Sequence, residues 1–228
     1  MDFPGLAARL ALVRETVARC QVARGWQHPV RIVGVTKTHG PEAVRAAVAA
    51  GLVDVGENRV QEALPKQEAL TDLTVEWHLI GTLQRNKARN AVGRFALIHS
   101  VDRADLAAEL DRRATGASPQ PVLVQVNCSA EPQKGGAPPE SLPALLDQLQ
   151  RFQRLEVRGL MTLSALTEDH GEQRRAFRLL RELRDAGQRS GHSLPELSMG
   201  MSGDYPIAVE EGATMIRLGT VLFGERSL

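Results

Sequence analysis

Short β-branched runs alternate with stretches of helical periodicity along most of this chain. Leu6, Leu10, Val13 and Val17 recur at helical spacing, so the first two dozen residues predict one amphipathic helix. Val30–Val35 is a nearly continuous apolar run of strand length. Pro41 then opens a helix striped by Ala43, Val44, Ala47 and Val48, and Gly51 ends it. The unit repeats: strands at Leu52–Gly56, Val75–Ile80, Phe95–His99, Pro121–Asn127, Leu155–Leu160, a weaker Leu194–Met199, and Thr214–Gly219. Helices are predicted between them at Val60–Leu70, Gln84–Val92, Ala104–Ala114, around Leu142–Leu149, around Ala176–Leu183 and at Ile207–Glu211, with a closing helical turn at Val221–Phe223. Strands separated by helices pair in parallel, because each crossover needs a helix to bring the chain back. Eight such units predict an α/β fold, a single (β/α)8 barrel with an extra N-terminal helix; a doubly wound open sheet is the alternative. The Pro- and Gly-rich loop Ser129–Pro139 falls inside a βα unit, so residues 1–228 read as one domain.

Composition narrows the class. The 228 residues carry 28 Lys and Arg against 27 Asp and Glu, a net charge of +1. A nucleic-acid binder needs a basic surplus to displace counterions, so none is expected as partner. Cys20 and Cys128 are too few and too far apart for a disulfide scaffold or zinc cluster, and fit a reducing compartment. The N-terminus lacks the basic and apolar regions of a signal peptide, and no apolar run reaches the ~18 residues that span a bilayer. A cytoplasmic protein without membrane contact is expected.

In such a barrel, chemistry sits at the C-terminal ends of the strands. Lys37, Gly56-Glu57-Asn58, His78 with Gly81, His99 and Ser100, Asn127, Met161-Thr162, Ser198–Asp204 and Arg217 with Gly219-Thr220 are all predicted there. Lys37 directly follows the first strand. Partial desolvation and a neighbouring cation such as Arg217 would both lower its pKa and raise its nucleophilic fraction, and such an amine forms Schiff bases with aldehydes. Ser202 lies just before a predicted helix start, where a hydroxyl and free N–H groups suit phosphate oxygens or, alternatively, a simple helix cap. Gly219 admits a close backbone approach, and Thr220 adds a second hydroxyl. Barrels commonly bind phosphate after strands seven and eight. An amine facing a phosphate nest points to a phosphorylated aldehyde, with pyridoxal 5′-phosphate (PLP) the leading candidate.

The segments Val33–Lys37, Gly56–Asn58, Trp77–Lys87, Ile98–Asp102, Gly159–Thr162, Ser198–Asp204 and Gly212–Gly224 together resemble the pyridoxal-phosphate homeostasis protein family. The resemblance implies a fold-type III barrel like the cofactor domain of alanine racemase. It implies that Lys37 carries PLP as a Schiff base, that Ser202, Gly219 and Thr220 hold the phosphate, that Arg217 faces the pyridine nitrogen, and that Asn58 stands beside the ring. Departures from the family pattern fall at Gln133-Lys134-Gly135-Gly136 and at Leu163-Ser164-Ala165, away from the lysine and the phosphate group.

A cofactor-binding protein without significant turnover is expected. PLP withdraws electrons best when its pyridine nitrogen is protonated against an acidic partner, and Arg217 cannot accept that proton. Racemases with such an arginine draw a second acid/base from a further domain and partner subunit, and this chain is expected to have neither. Tyr205 reads as a packing residue, leaving His78 and His99 as candidates for proton transfer. Two functions follow: a monomeric carrier that binds PLP, with other B6 vitamers as further ligands, and passes it to apo-enzymes; or a small PLP enzyme acting on amino acids. A barrel for another phosphorylated metabolite is a third reading.

Overall fold

A computed structural model describes residues 3–129, 131 and 134–224; Gln133 of the polar loop and the terminal Leu228 lie outside the described residues. The first helix, α1, spans Leu6–Arg24 and turns Leu6, Leu10, Val13, Val17 and Cys20 inward, as the spacing predicts. Strand β1 (Arg31–Val35) follows, then α2 (Pro41–Ala49), β2 (Asp54–Glu57), α3 (Val60–Ala69) and β3 (Glu76–Leu79). A 3-10 turn at Arg85–Lys87 leads into a single turn of α-helix, α4 (Ala88–Ala91), so the longer helix expected over Gln84–Val92 is split. The order continues β4 (Leu97–Val101), α5 (Ala104–Arg113), β5 (Gln120–Gln125), α6 (Leu142–Leu149), β6 (Leu155–Met161), α7 (His170–Arg189), β7 (Glu196–Ser198), α8 (Tyr205–Glu210), β8 (Met215–Leu218) and α9 (Thr220–Phe223).

The strands pair in parallel in sequence order, and β1 pairs with β8 over Arg31–Gly34 and Met215–Leu218, so the barrel is closed and the open-sheet alternative is excluded. Local chemistry sets each element. Pro41 stands in the first turn of α2, where its missing N–H costs nothing. Asp169 caps the long α7 by accepting from Gly171 N at 2.7 Å and Glu172 N at 3.2 Å.

Two apolar layers result. The larger lies between the strands and the helices. The smaller joins Val33, Leu97, Leu123, Met161 and Met215, contributed by β1, β4, β5, β6 and β8. Strands on opposite sides can share contacts only through the lumen, so this cluster plugs the barrel interior, as in other barrels of this architecture. The helix α1 lies outside, where Arg9 Nε donates to the Leu222 carbonyl at 2.7 Å and Arg24 pairs with Glu210 at 3.3 Å.

Candidate functional site

A cavity of about 590 Å³ opens at the C-terminal ends of the strands. Lys37, Asn58, Ser202, Arg217, Gly219 and Thr220 all line it. The fold therefore brings the six residues singled out by sequence into one space, from β1, β2, β7 and β8 and the loops after them.

The backbone aims Lys37. Val35 closes β1, and Thr36 to His39 form a turn in which His39 N donates to the Thr36 carbonyl at 3.0 Å. Thr38, the third residue of that turn, has φ of 69°, a left-handed conformation that type II turns normally give to glycine. A β-branched residue there is strained by roughly 1–3 kcal/mol. The turn is held from below. Thr36 Oγ1 donates to Glu57 Oε1 at 2.6 Å, and the Lys66 ammonium donates to Glu57 Oε1 at 2.6 Å and to the Thr36 carbonyl at 2.9 Å. Glu57 is fully buried and Lys66 nearly so, while Glu57 Oε2 is buried without a hydrogen-bond partner.

A second group of cavity residues gathers around Ser202, at the start of α9. Ser202 does not cap α8; that helix begins at Tyr205 after Asp204. The Ser202 hydroxyl instead accepts from Gly219 N at 3.2 Å and Val221 N at 3.3 Å, gathering the start of α9 around one oxygen. Its loop is braced by Asp204, which accepts from Met201 N at 2.5 Å and from the Ser164 hydroxyl. Gly219 has φ of −106°, so backbone freedom does not require glycine. A Cβ built there would find Val35 no nearer than 3.7 Å, ordinary van der Waals contact, and one at Gly203 would meet nothing within 4 Å. Gly219 lines the cavity, so a methyl group there would meet a ligand before it disturbs the fold. Gly219→Ala is therefore expected to unfold within about 0.5 kcal/mol of wild type while affinity for the phosphorylated aldehyde that the sequence leads one to expect falls about tenfold, which parallel urea and fluorescence titrations would check; equal affinities would remove Gly219 from the ligand contacts.

Arg217 lines the same cavity from β8. It is 3% exposed, and its Nη1 donates to Ser198 Oγ at 2.6 Å and its Nη2 to the Thr162 carbonyl at 2.9 Å. Burial pushes its pKa down to about 10, with Asp204 pulling the other way, so it stays cationic at neutral pH.

His78 and His99 are corrected by the structure. Both were expected at the mouth, yet they are 1% and 0% exposed, and neither lines the cavity. His99 sits mid-strand in β4, and the two rings meet each other within the lumen, His99 reaching the Ser198 hydroxyl that also meets Arg217. Burial first, then the charges near it, hold the His99 pKa well below the ordinary 6.5. The unfolded chain therefore binds a proton below about pH 6.5 that the folded chain refuses, so this group's contribution is intact above that pH and is lost as pH falls. From pH 6.5 to 5.5 the expected loss is about 1 kcal/mol, bounded by 1.4 kcal/mol per proton per pH unit; unchanged urea midpoints across that range would contradict a neutral buried His99.

Other expected mouth residues take structural roles. Asn127 Nδ2 ties the following loop through the Glu131 and Lys134 carbonyls at 3.0 and 3.2 Å, and Ser100 Oγ donates to the Gly81 carbonyl at 2.7 Å. Gly81 itself must be glycine, because a Cβ would fall 2.3 Å from the Asn58 carbonyl oxygen. Tyr205 is buried in the main core, as its packing assignment expects. His39, Thr82, Gln125 and Leu166, which sequence reasoning passed over, also line the cavity, as does Met201 of the expected Ser198–Asp204 group; Leu163-Ser164-Ala165, expected away from the site, is corrected, since Leu163 lines the cavity and Ser164 bonds Asp204. His39 makes a T-shaped contact with Phe3 at 5.3 Å, and Gln125, which closes β5, donates to the Gly135 carbonyl at 2.7 Å. The position of Gln125 at a strand's C-terminal end was a usable signal.

The barrel defines the broad class: residues 14–227 match the family described as alanine racemase, N-terminal domain. An alanine racemase from Clostridium difficile 630 superposes with a TM-score of 0.74 over 97% of this chain and 61% of its own, at 15% identity, a likeness of fold alone. A pyridoxal phosphate homeostasis protein from Aquifex aeolicus is 46% identical over 221 residues, 96% of this chain and 97% of the relative. PipY of Synechococcus elongatus, solved with PLP bound, is 44% identical with a TM-score of 0.84, covering 96% of this chain and all of that one. The chain belongs to the pyridoxal phosphate homeostasis protein family.

Proposed function

We propose that this chain, one domain over residues 1–228, binds pyridoxal 5′-phosphate covalently through Lys37 and serves as a carrier that stores the cofactor and passes it to apo-enzymes. The observation that carries this reading is the convergence of an amine, a buried guanidinium and a two-hydroxyl, two-glycine cradle on one cavity. The PLP bound to the 44%-identical PipY supports it. Lys37 supplies the amine for the aldehyde. The hydroxyls of Ser202 and Thr220 and the backbone at Gly219 receive the phosphate, Asn58 stands beside the ring, and Arg217 faces the ring nitrogen. When bound, the group supplies an electrophilic carbon and an electron-withdrawing ring. Arg217, protonated with a pKa of about 10, donates to that nitrogen and takes no proton from it, which leaves the ring a weak electron sink.

Absence of turnover is part of the proposal. The relatives carry the name of homeostasis proteins, and His78 and His99, the two imidazoles expected to move protons, are sequestered from the cavity, where His39 is the imidazole among the described residues that lines it. We place the protein in the cytoplasm as a monomer. Cys20 and Cys128 are free thiols, burial pushes the Cys128 pKa up to about 11, and no helix among the described residues is long and apolar enough to cross a membrane. The test is incubation of PLP-loaded protein with single amino-acid enantiomers in deuterated water, alongside an apo-enzyme lacking PLP. Activation of the apo-enzyme without α-proton exchange is expected. Steady exchange or inversion that disappears in Lys37→Ala would establish the enzyme instead.

A further inference from the structure

A line of five polar side chains crosses the barrel lumen beneath the cavity. Asp54 Oδ1, near the N-terminal end of β2, lies 3.0 Å from His78 Nε2; His78 Nδ1 lies 2.9 Å from His99 Nε2; His99 Nδ1 lies 2.9 Å from Ser198 Oγ; and Ser198 Oγ accepts from Arg217 Nη1 at 2.6 Å. The line joins β2, β3, β4, β7 and β8. His99 reaches Ser198 without either strand being a neighbour of the other, so the contact spans the interior. Four of the five residues are at most 3% exposed.

The proton count of this line has one solution when both rings are neutral. A carboxylate only accepts, so His78 carries its hydrogen on Nε2 and offers a lone pair at Nδ1. His99 must then carry its hydrogen on Nε2, since two lone pairs 2.9 Å apart would repel. His99 Nδ1 is left as an acceptor, and the Ser198 hydroxyl hydrogen turns to it. The lone pairs of Ser198 are thereby presented to Arg217, which can only donate. Each bond dictates the next, from the Asp54 carboxylate to the guanidinium. A hydrogen on the other nitrogen of His99 would break one bond outright and deprive Ser198 of its acceptor. The charged groups facing this line are Arg31, 3.8 Å from both Asp54 and Glu196 at the lower end, and Arg217 with Asp204 behind it at the upper end. Cations at both ends oppose an imidazolium between them, in keeping with the neutral state of His99.

We propose that Asp54, His78, His99 and Ser198 form a one-directional hydrogen-bond relay that positions Arg217 against the aromatic nitrogen of the bound cofactor, which makes both histidines positioning residues. The proposal rests on the PLP reading for its upper end only; the direction of the relay is a property of the protein alone.

Nitrogen-15 NMR of the full chain without PLP at pH 7.5 tests the direction. Both imidazoles are expected as neutral rings with the hydrogen on Nε2, and a hydrogen on Nδ1 of His99, or a charged ring, overturns the relay. Ser198→Ala and Asp54→Asn test its transmission. Ser198→Ala removes the contact at Arg217, and Asp54→Asn changes only the far end. In Asp54→Asn the His99 tautomers are expected to mix. In both variants the absorption maximum of bound PLP is expected to shift and the Kd to rise, about tenfold for Ser198→Ala where a charged hydrogen bond is lost. Variants that keep the wild-type tautomers, absorption maximum and Kd overturn the positioning role, and a melting temperature near wild type certifies the fold in each. Wild-type protein that takes up no PLP would sink the reading of the cavity, while the tautomers would still decide the relay.

Discussion

Lys37→Ala protein, mixed with PLP and reduced with borohydride, is expected to gain no pyridoxyl mass, whereas wild type gains one adduct on Lys37. Borohydride makes an amine–aldehyde linkage permanent, so mass spectrometry of the digest locates the amine that reacted. The other lysines are controls because each is placed differently. Lys66 is buried against Glu57 and the Thr36 carbonyl and does not line the cavity. Lys134 bonds the Ser164 carbonyl and pairs with Glu131. Lys87 lines an adjoining hollow of about 450 Å³ with Arg59 and Gln84. An adduct on any of these in wild type, with Lys37 unmodified, would end the assignment. The variant should still fold, since truncating a half-exposed side chain on a surface turn changes stability by about 0.5 kcal/mol or less.

Lys66→Met is expected to destabilise the protein by roughly 3–5 kcal/mol, the cost of leaving a buried charge without its partner. Glu57 is 0% exposed, and one of its oxygens already lacks a partner. Without the ammonium, only the Thr36 hydroxyl would face that carboxylate. Replacing both partners, Glu57→Leu with Lys66→Met, should recover most of the loss, because burying the pair is costly in the first place. Urea unfolding of the two variants decides it. A loss under about 1 kcal/mol in the single variant would mean that water or rearrangement reaches Glu57. The same pair supports Thr36, so the lysine turn above it should loosen in parallel with stability.

How much of this was legible in the sequence depended on whether a residue's surroundings lay nearby in the chain. The strands were legible because runs such as Val30–Val35 and Pro121–Asn127 are apolar on both faces, as a parallel barrel strand must be. Helix α1 was legible from its spacing alone. The weak points were short elements: β7 has only Glu196–Ser198, and the segment at Arg85–Ala91 changes from 3-10 to α within two turns. All six proposed ligand residues line one cavity, since strand ends in a barrel converge by topology. His78 and His99 were misplaced because a polar residue near a strand end looks the same whether it points up to the mouth or across the lumen. Their partners, Asp54 and Ser198, stand 24 and 99 positions away in the chain. Glu57, expected at the mouth beside Asn58, is instead buried against Lys66 and does not line the cavity, and Lys66 gave no signal. A lysine on a helix ordinarily reads as solvated, and nothing in the nine-residue separation marks a buried pair.

Concentrated β proteins tend to pair through exposed strand margins. Here every strand among the described residues has a neighbour on both sides, because β8 hydrogen-bonds back to β1. Among the described residues the barrel ladder has no open edge for another strand to extend. The same closure sets the turn after β1 beside the start of α9, where a Cβ at Gly219 would lie 3.7 Å from the Val35 carbonyl oxygen, so segments from the two ends of the chain become neighbours at one cavity.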